Sequence, residues 1–321
     1  MSIVDTYKDP ETTLKPSNNY RRNYILFEKI LHRSVREFEV EFRLCERCGL
    51  IFFSPRPDEA DLLVKYDLLF AEGDTIAREA LRRLVDLRAT RGEAIRRFIE
   101  PFWIKKTGRA VDVGGADGHC LGALTSEFEC GIVDFEKREC WPGIRKLAKT
   151  LNELPADYSF DVVLCCHTIE HVPNVQAFME SLSSRLAEGG ILYVEVPYGC
   201  AGEIYETGNL LTHLNFFSEG SLGFLLEQPG LHVVEMYSGP VLSSKKYLPV
   251  VRAVARKDSS RPVQGRYLQE GASITRHQMK RSLEKRVFFA NLRLVLSRPI
   301  AYSVAFMQFL ARNLRSKRLV T

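Results

Sequence analysis

Three acids, three histidines, a glycine run and a pair of cysteines are the residues of this chain whose types and spacing could do chemistry. Residues 111–120 read VDVGGADGHC, with Asp112 inside a Val-rich run and Gly114, Gly115, Ala116 and Gly118 crowded after it. In an open parallel sheet the first strand-to-helix turn is glycine-rich so that bare backbone can approach a ligand closely. A dinucleotide turn starting at Gly114 would want glycine at 116 and 119, and the chain has Ala116 and His119, which speaks against a nicotinamide ligand. Downstream, His167 directly follows an apolar run, Glu170-His171 comes three residues later, and His213 stands further on. Imidazoles and carboxylates of this kind take a proton or hold a metal ion. Cys45 and Cys48 form C-x-x-C, half of a four-thiolate zinc site. No cysteine precedes Cys45, so zinc there would need His32 or another chain.

Those residues must be positioned by alternating elements. Short β-rich runs occur at 109–114, 129–135, 160–166, 191–197, 231–237 and 247–255, with helical windows at 121–128, 174–187 and 218–226. Near-continuous apolar strands separated by helices predict a doubly wound, mostly parallel α/β sheet covered on both faces. The last two runs leave no room for a crossover helix and predict an antiparallel edge hairpin. Ala187-Glu188-Gly189-Gly190 is read as a helix stop feeding a strand. Ahead of this core, helices are expected near 24–31, from Asp58, and over 75–99. Cys165 and Cys166, ending a buried strand, are read as small apolar fillers.

In this order, Asp112/Gly114/Ala116/Gly118 as D-x-G-x-[G/A]-x-G, Asp134 closing the second strand, FDVVLCCHTIEHVPN at 160–174, GGILYVEVPYG at 189–199 and HLNFFSEGSLGFLLEQPGLHVVEM at 213–236 resemble the class I S-adenosylmethionine-dependent methyltransferases. The resemblance covers residues 105–256. CERCGLIFFSPRPDEADLLVKYD at 45–67 is similar to the front segment of a methyltransferase group acting on sugars and related metabolites. The resemblance implies a seven-stranded Rossmann-like sheet and S-adenosyl-L-methionine as cofactor. It implies cofactor contacts at Asp112, Gly114, Gly115, Ala116 and Gly118. Asp134 would accept the ribose hydroxyls, with Phe135 against adenine, Asn152 at the adenine edge and His167 near the sulfur; the alternative for Asp134 is a helix cap. His167 and His171 are the candidate general bases.

The E-H pair and His213 also resemble ubiquinone-pathway and small-RNA O-methyltransferases, in which E-x-x-E-H and a later histidine hold a divalent ion. Here His167 replaces the first glutamate, which makes a poor magnesium site and at best a transition-metal one. The reading taken is metal-free, with Cys45, Cys48, Glu170, His171 and His213 as candidate ligands.

The chain has 321 residues, 45% of them hydrophobic, and a formal net charge of +5. That is enough for one main core plus a smaller unit. Residues 259–321 hold 13 Lys and Arg against 2 Asp and Glu, so an acidic body carries a basic tail. Apolar clusters in the tail are broken by Arg293, Arg298 and Pro299, which argues for amphipathic helices instead of a membrane span. Such a tail would contact an anionic membrane surface, a second subunit or its own body; nucleic acid is not expected. Scattered cysteines and the lack of an apolar leader predict a cytoplasmic protein, with peripheral contact at the inner face of the membrane as an option.

The expected organisation is an amino-terminal segment with the C-x-x-C and a helical lid over 1–104, a core over 105–258 and a helical tail over 259–321. The expected activity is methyl transfer to a small-molecule or glycan acceptor, above all a sugar hydroxyl. A quinone-like lipid-soluble acceptor and a non-catalytic partner protein of the same fold are the alternatives.

Overall fold

The computed structural model describes residues 2–8, 37–54, 56–62, 85–135, 139–199, 213–243, 246–260, 262 and 265–267. The core is a seven-stranded sheet in the order β10-β11-β8-β7-β4-β5-β6. Its strands are β4 (Gly108–Val113), β5 (Phe128–Val133), β6 (Ile144–Ala148), β7 (Phe160–Cys166), β8 (Leu186–Pro197), β10 (Leu231–Ser243) and β11 (Lys246–Lys257). Strands β6, β5, β4, β7 and β8 run parallel, and β11 enters antiparallel between β8 and the edge strand β10. The expected hairpin is therefore present, with its second strand inside the sheet.

Period-2 alternation sends successive side chains to opposite faces. On β7, Val163 and Cys165 join one core cluster while Val162, Leu164 and Cys166 join the other. The first cluster is closed by helices α2 (Val175–Arg185) and α3 (Glu219–Glu227), through Leu182, Leu222 and Leu226. The second is closed by α1 (Val85–Ile99), through Ile95 and Ile99. The adjacent cysteines thus fill both layers, as expected of small apolar residues.

The helix ends follow local chemistry. Asn174 Oδ1 accepts from the Ala177 N–H at 3.1 Å to start α2, and Ser218 with Ser221 forms a reciprocal cap on α3. Helix α2 stops at Arg185, whose guanidinium donates to the Leu151 and Leu154 carbonyls at 3.0 and 3.1 Å. The stop is earlier than the Gly189-Gly190 signal suggests. Those glycines lie inside β8, where Gly189 takes φ +75°. The window at 121–128 forms only the 3-10 segment His119–Leu124, because Phe128 already begins β5.

A second, four-stranded antiparallel sheet has the order β1-β2-β3-β9. It consists of β1 (Ser2–Lys8), β2 (Glu37–Leu44), β3 (Ile51–Ser54) and the two-residue β9 (Asn215–Phe216). Where described, the amino-terminal segment up to Ser54 is strand and turn, followed by a helical turn at residues 59–62 and helix α1 over Val85–Ile99. The helix expected at 24–31, and the part of the 75–99 helix before Val85, fall outside the described residues. So does the tail, apart from 259–260, 262 and 265–267. No helix among the described residues is long and apolar enough to cross a membrane.

Candidate active site

The glycine turn leaves β4 with Gly114 at φ +75°, Ala116 at +54° and Gly118 at +82°. Left-handed backbone is natural for glycine and strained for alanine, and such strain concentrates at ligand-binding positions. A β-carbon on Gly114 would collide with the Thr168 side chain, and one on Gly115 with the Asp112 carboxylate. Thr168 Oγ1 also donates to the Val113 carbonyl at 3.2 Å. The turn after β4 and the turn after β7 are therefore in direct contact.

Asp112 lies under this loop and is fully buried, and among the described residues neither of its oxygens has a hydrogen-bond donor. Burial pushes its carboxyl well above the ordinary carboxylate range. Asp134, just past β5, accepts the Ala116 N–H on Oδ2 at 2.8 Å. Its link to the loop is through that backbone amide. Phe135 beside it is a half-exposed ring. Asn152 is exposed in the 3-10 turn Leu151–Glu153.

His167 sits at the tip of β7 with φ +52°. Its Nε2 is 3.1 Å from Glu195 Oε1, and its Nδ1 is 3.5 Å from Glu170 Oε1. Burial opposes its charge, but the carboxylates on both sides outweigh burial and push the imidazole up to about 10. The flanking carboxylates thus favour the charged imidazole at His167, which suits it to holding Glu170 and Glu195. The side chain remains 30% exposed.

Glu195, on β8, is saturated: Arg91 from α1 pairs with Oε1, and the Tyr193 hydroxyl donates to Oε2 at 2.6 Å. Burial would raise its carboxyl, but His167 and Arg91 bring it down to about 2. Neither Glu195 nor Arg91 was singled out in the sequence. A glutamate inside the apolar run ILYVEVP is the signal that could have found the first.

Glu170 lies in the 3-10 turn Ile169–His171, and among the described residues neither of its oxygens accepts a hydrogen bond. His171 Nε2 is 3.8 Å from Glu170 Oε1, and the His171 and His213 rings meet edge to face with centroids 4.7 Å apart. Burial works against the Glu170 charge, but the surrounding imidazoles hold its carboxyl below the ordinary value. The ligand atoms of Glu170, His171 and His213 lie within 4.8 Å of one another, a set that suits a transition ion better than magnesium. Apart from its cation, then, this cluster can accept a proton at an imidazole and stabilise the resulting charge with a carboxylate.

Cys45 and Cys48 occupy a tight turn between β2 and β3, closed by the Cys45 N–H to Leu50 O at 2.8 Å and the Gly49 N–H to Cys45 O at 2.9 Å. Among the described residues no third metal-ligating side chain joins them. His32 lies outside those residues.

With this geometry in hand, the chain's similarities are informative. Residues 87–236 match the family model described as a methyltransferase domain. The match spans the glycine turn, the Thr168 turn and the His213 segment. C-methyltransferase NovU of Streptomyces niveus is 32% identical over 227 residues, 64% of this chain and 49% of that protein. Ubiquinone biosynthesis O-methyltransferase of Rickettsia typhi is 35% identical over 74 residues, 23% of this chain and 29% of that protein. The chain thus spans about half or less of the length of these curated relatives. Among solved structures, N-methyltransferase NodS of Bradyrhizobium japonicum is similar at 15% identity and a TM-score of 0.41, over 55% of this chain and 98% of that one.

Proposed function

We propose that this chain transfers a methyl group from S-adenosylmethionine to a small-molecule or glycan acceptor, above all a sugar hydroxyl. The observation that carries the reading is the contact between the glycine turn and the Thr168 turn, which brings a donor cradle against a cluster of imidazoles. The residues present suit the donor. A β-carbon at Gly114 or Gly115 would strike Thr168 or Asp112, so bare backbone lets the turn lie this close to both, and Asp112 beneath it is a buried acid with no hydrogen-bond donor among the described residues.

When bound, the cofactor supplies a methyl group on a sulfonium, ready for in-line displacement. The chain's own part is mostly placement, which in a two-reactant step accounts for much of the rate. Loop backbone at 114–118 and Asp134 bind the nucleoside, with Phe135 against its base. Asn152, exposed beyond β6, is kept as a contact to the adenine edge. His171 takes the proton from the acceptor, and Glu170 stabilises the imidazolium that forms. The His167 cation, fixed by Glu195, holds Glu170 in place between them.

A second reading, methylation at carbon, is favoured by the long similarity to a C-methyltransferase. The same base would then remove a proton from carbon. The quinone-like acceptor has support over 74 residues.

Calorimetry with S-adenosylmethionine and its demethylated product tests the donor, with binding expected at about micromolar Kd; titration to about 1 mM with no heat of binding would defeat the proposal. A screen of labelled methyl transfer against nucleotide sugars, envelope glycans and quinol precursors then separates the acceptors. The product is expected to carry an O–CH3 group, and a C–CH3 signal would shift the conclusion to the second reading.

A further inference from the structure

We infer that Asn215 is a positioning residue for the Glu170–His171–His213 group, and that Arg56 makes this positioning depend on the amino-terminal sheet. The inference deepens the methyl-transfer reading and rests on it for its meaning.

The Asn215 side chain is almost wholly buried, and each of its polar atoms is engaged. Its Nδ2 donates to the Ile169 carbonyl at 3.2 Å and to the Val172 carbonyl at 2.7 Å. Those carbonyls bracket the three-residue turn that carries Glu170 and His171. Next to it, the Leu214 N–H donates to the Glu170 carbonyl at 2.6 Å, and His213 precedes Leu214. One short segment therefore supplies His213 and fixes the backbone of the turn facing it. A change in Asn215 acts on both sides of the imidazole pair.

The other end of the amide leads out of the core. Asn215 Oδ1 accepts from Arg56 Nη2 at 2.6 Å, and β9 pairs with β3 through Ile51↔Phe216 and Phe52↔Asn215. The Arg56 guanidinium also lies over the Phe52 ring at 5.3 Å. Two residues of pairing are a weak hold on register, since strands are specified by runs of alternating side chains. The Arg56–Asn215 bond supplies the missing constraint. On the far side, Tyr198 bridges Phe217 and the Gly199 N–H donates to the Phe217 carbonyl at 2.8 Å, so the segment is gripped from both sheets.

Three variants of the full chain, labelled in histidine, test the inference. Asn215→Asp keeps an acceptor for Arg56 and removes both donors to the turn; Arg56→Ala cuts the link to the amino-terminal sheet; Arg56→Lys keeps a cation there. The readouts are the ring resonances of His171 and His213, assigned through His171→Asn and His213→Asn, their mutual cross-peak, and calorimetric affinity for the demethylated cofactor. Asn215→Asp is expected to abolish the cross-peak while cofactor affinity stays within about twofold, because the glycine turn is untouched. Arg56→Ala is expected to weaken the cross-peak, and Arg56→Lys to restore it. Unchanged ring signals in both Asn215→Asp and Arg56→Ala overturn the inference, as does a loss of cofactor affinity in step with the ring signals, which marks general collapse. A wild-type protein that binds no cofactor defeats the methyl-transfer reading alone, since the cross-peak and its loss are read without ligand as well.

Discussion

Glu195 and Glu170 flank the same imidazole and are equally buried, at 1% exposure each, but their surroundings differ. Glu195 meets a guanidinium, a phenol and an imidazole, and each of its oxygens is engaged. Glu170 has only imidazoles near it and accepts no hydrogen bond among the described residues. A buried carboxylate without donors is costly to fold around. Glu170 is such an acid beside three histidines, and Asp112, a second buried acid with no donor among the described residues, lies beneath the glycine turn.

That contrast is open to attack, and the most damaging substitution is expected to be Glu195→Ala. It would leave the Arg91 guanidinium buried without its carboxylate, so the unfolding free energy in urea should fall by about 3–5 kcal/mol. A loss under about 1 kcal/mol would erase the distinction between the two acids. Next in size is Glu170→Gln, which preserves shape and removes charge. Methyl transfer should drop about 100-fold while stability changes by less than about 1 kcal/mol, read by initial rates and urea unfolding on one preparation. If stability fell and turnover did not, the roles would be reversed.

A third effect, spread over several pH units, is the dependence of stability on pH. His167 is raised from 6.5 to about 10 by folding, so its contribution is fully present below pH 6.5 and disappears as pH climbs toward 10. Glu195 is lowered from 4.5 to about 2, so its share is present above pH 4.5 and disappears as pH falls toward 2. Stability should therefore peak between about 4.5 and 6.5 where these groups dominate. His167→Gln should flatten the alkaline arm, leaving the part due to His119, which is raised to about 9 despite burial by its bond to Asp117. Urea midpoints at a series of pH values for both proteins would show whether the arm belongs to His167.

The parallel core was readable because its signals are local. Runs such as FDVVLCC are too apolar to be anything but doubly covered strands, and β7 starts and stops where that run does. Asp134 and the glycine positions were readable for the same reason, as turn chemistry written over a few residues. Strand β6 was missed because IRKLA is only five residues long and carries two charged positions in a row at the sheet edge. The amino-terminal sheet was missed although EFEVEFRL alternates with the period of a strand; IFFS is only four residues long, and its outer partner β9 lies far along the chain. His167 shows the limit at the site itself. Its type and place were legible, but its charge is set by Glu195 and Glu170, which converge from different strands and turns.

The stitch between Arg56 and Asn215 also has a consequence for how the chain comes off the ribosome. The partners are 159 residues apart, so the third amino-terminal strand is made long before the two residues that complete its sheet. At about 5–20 residues per second that delay is roughly 8–30 s, during which one margin of the early strands must stay clear of other nascent chains. Closure of that margin is then a late event in biogenesis, and the imidazole pair is assembled in the same moment.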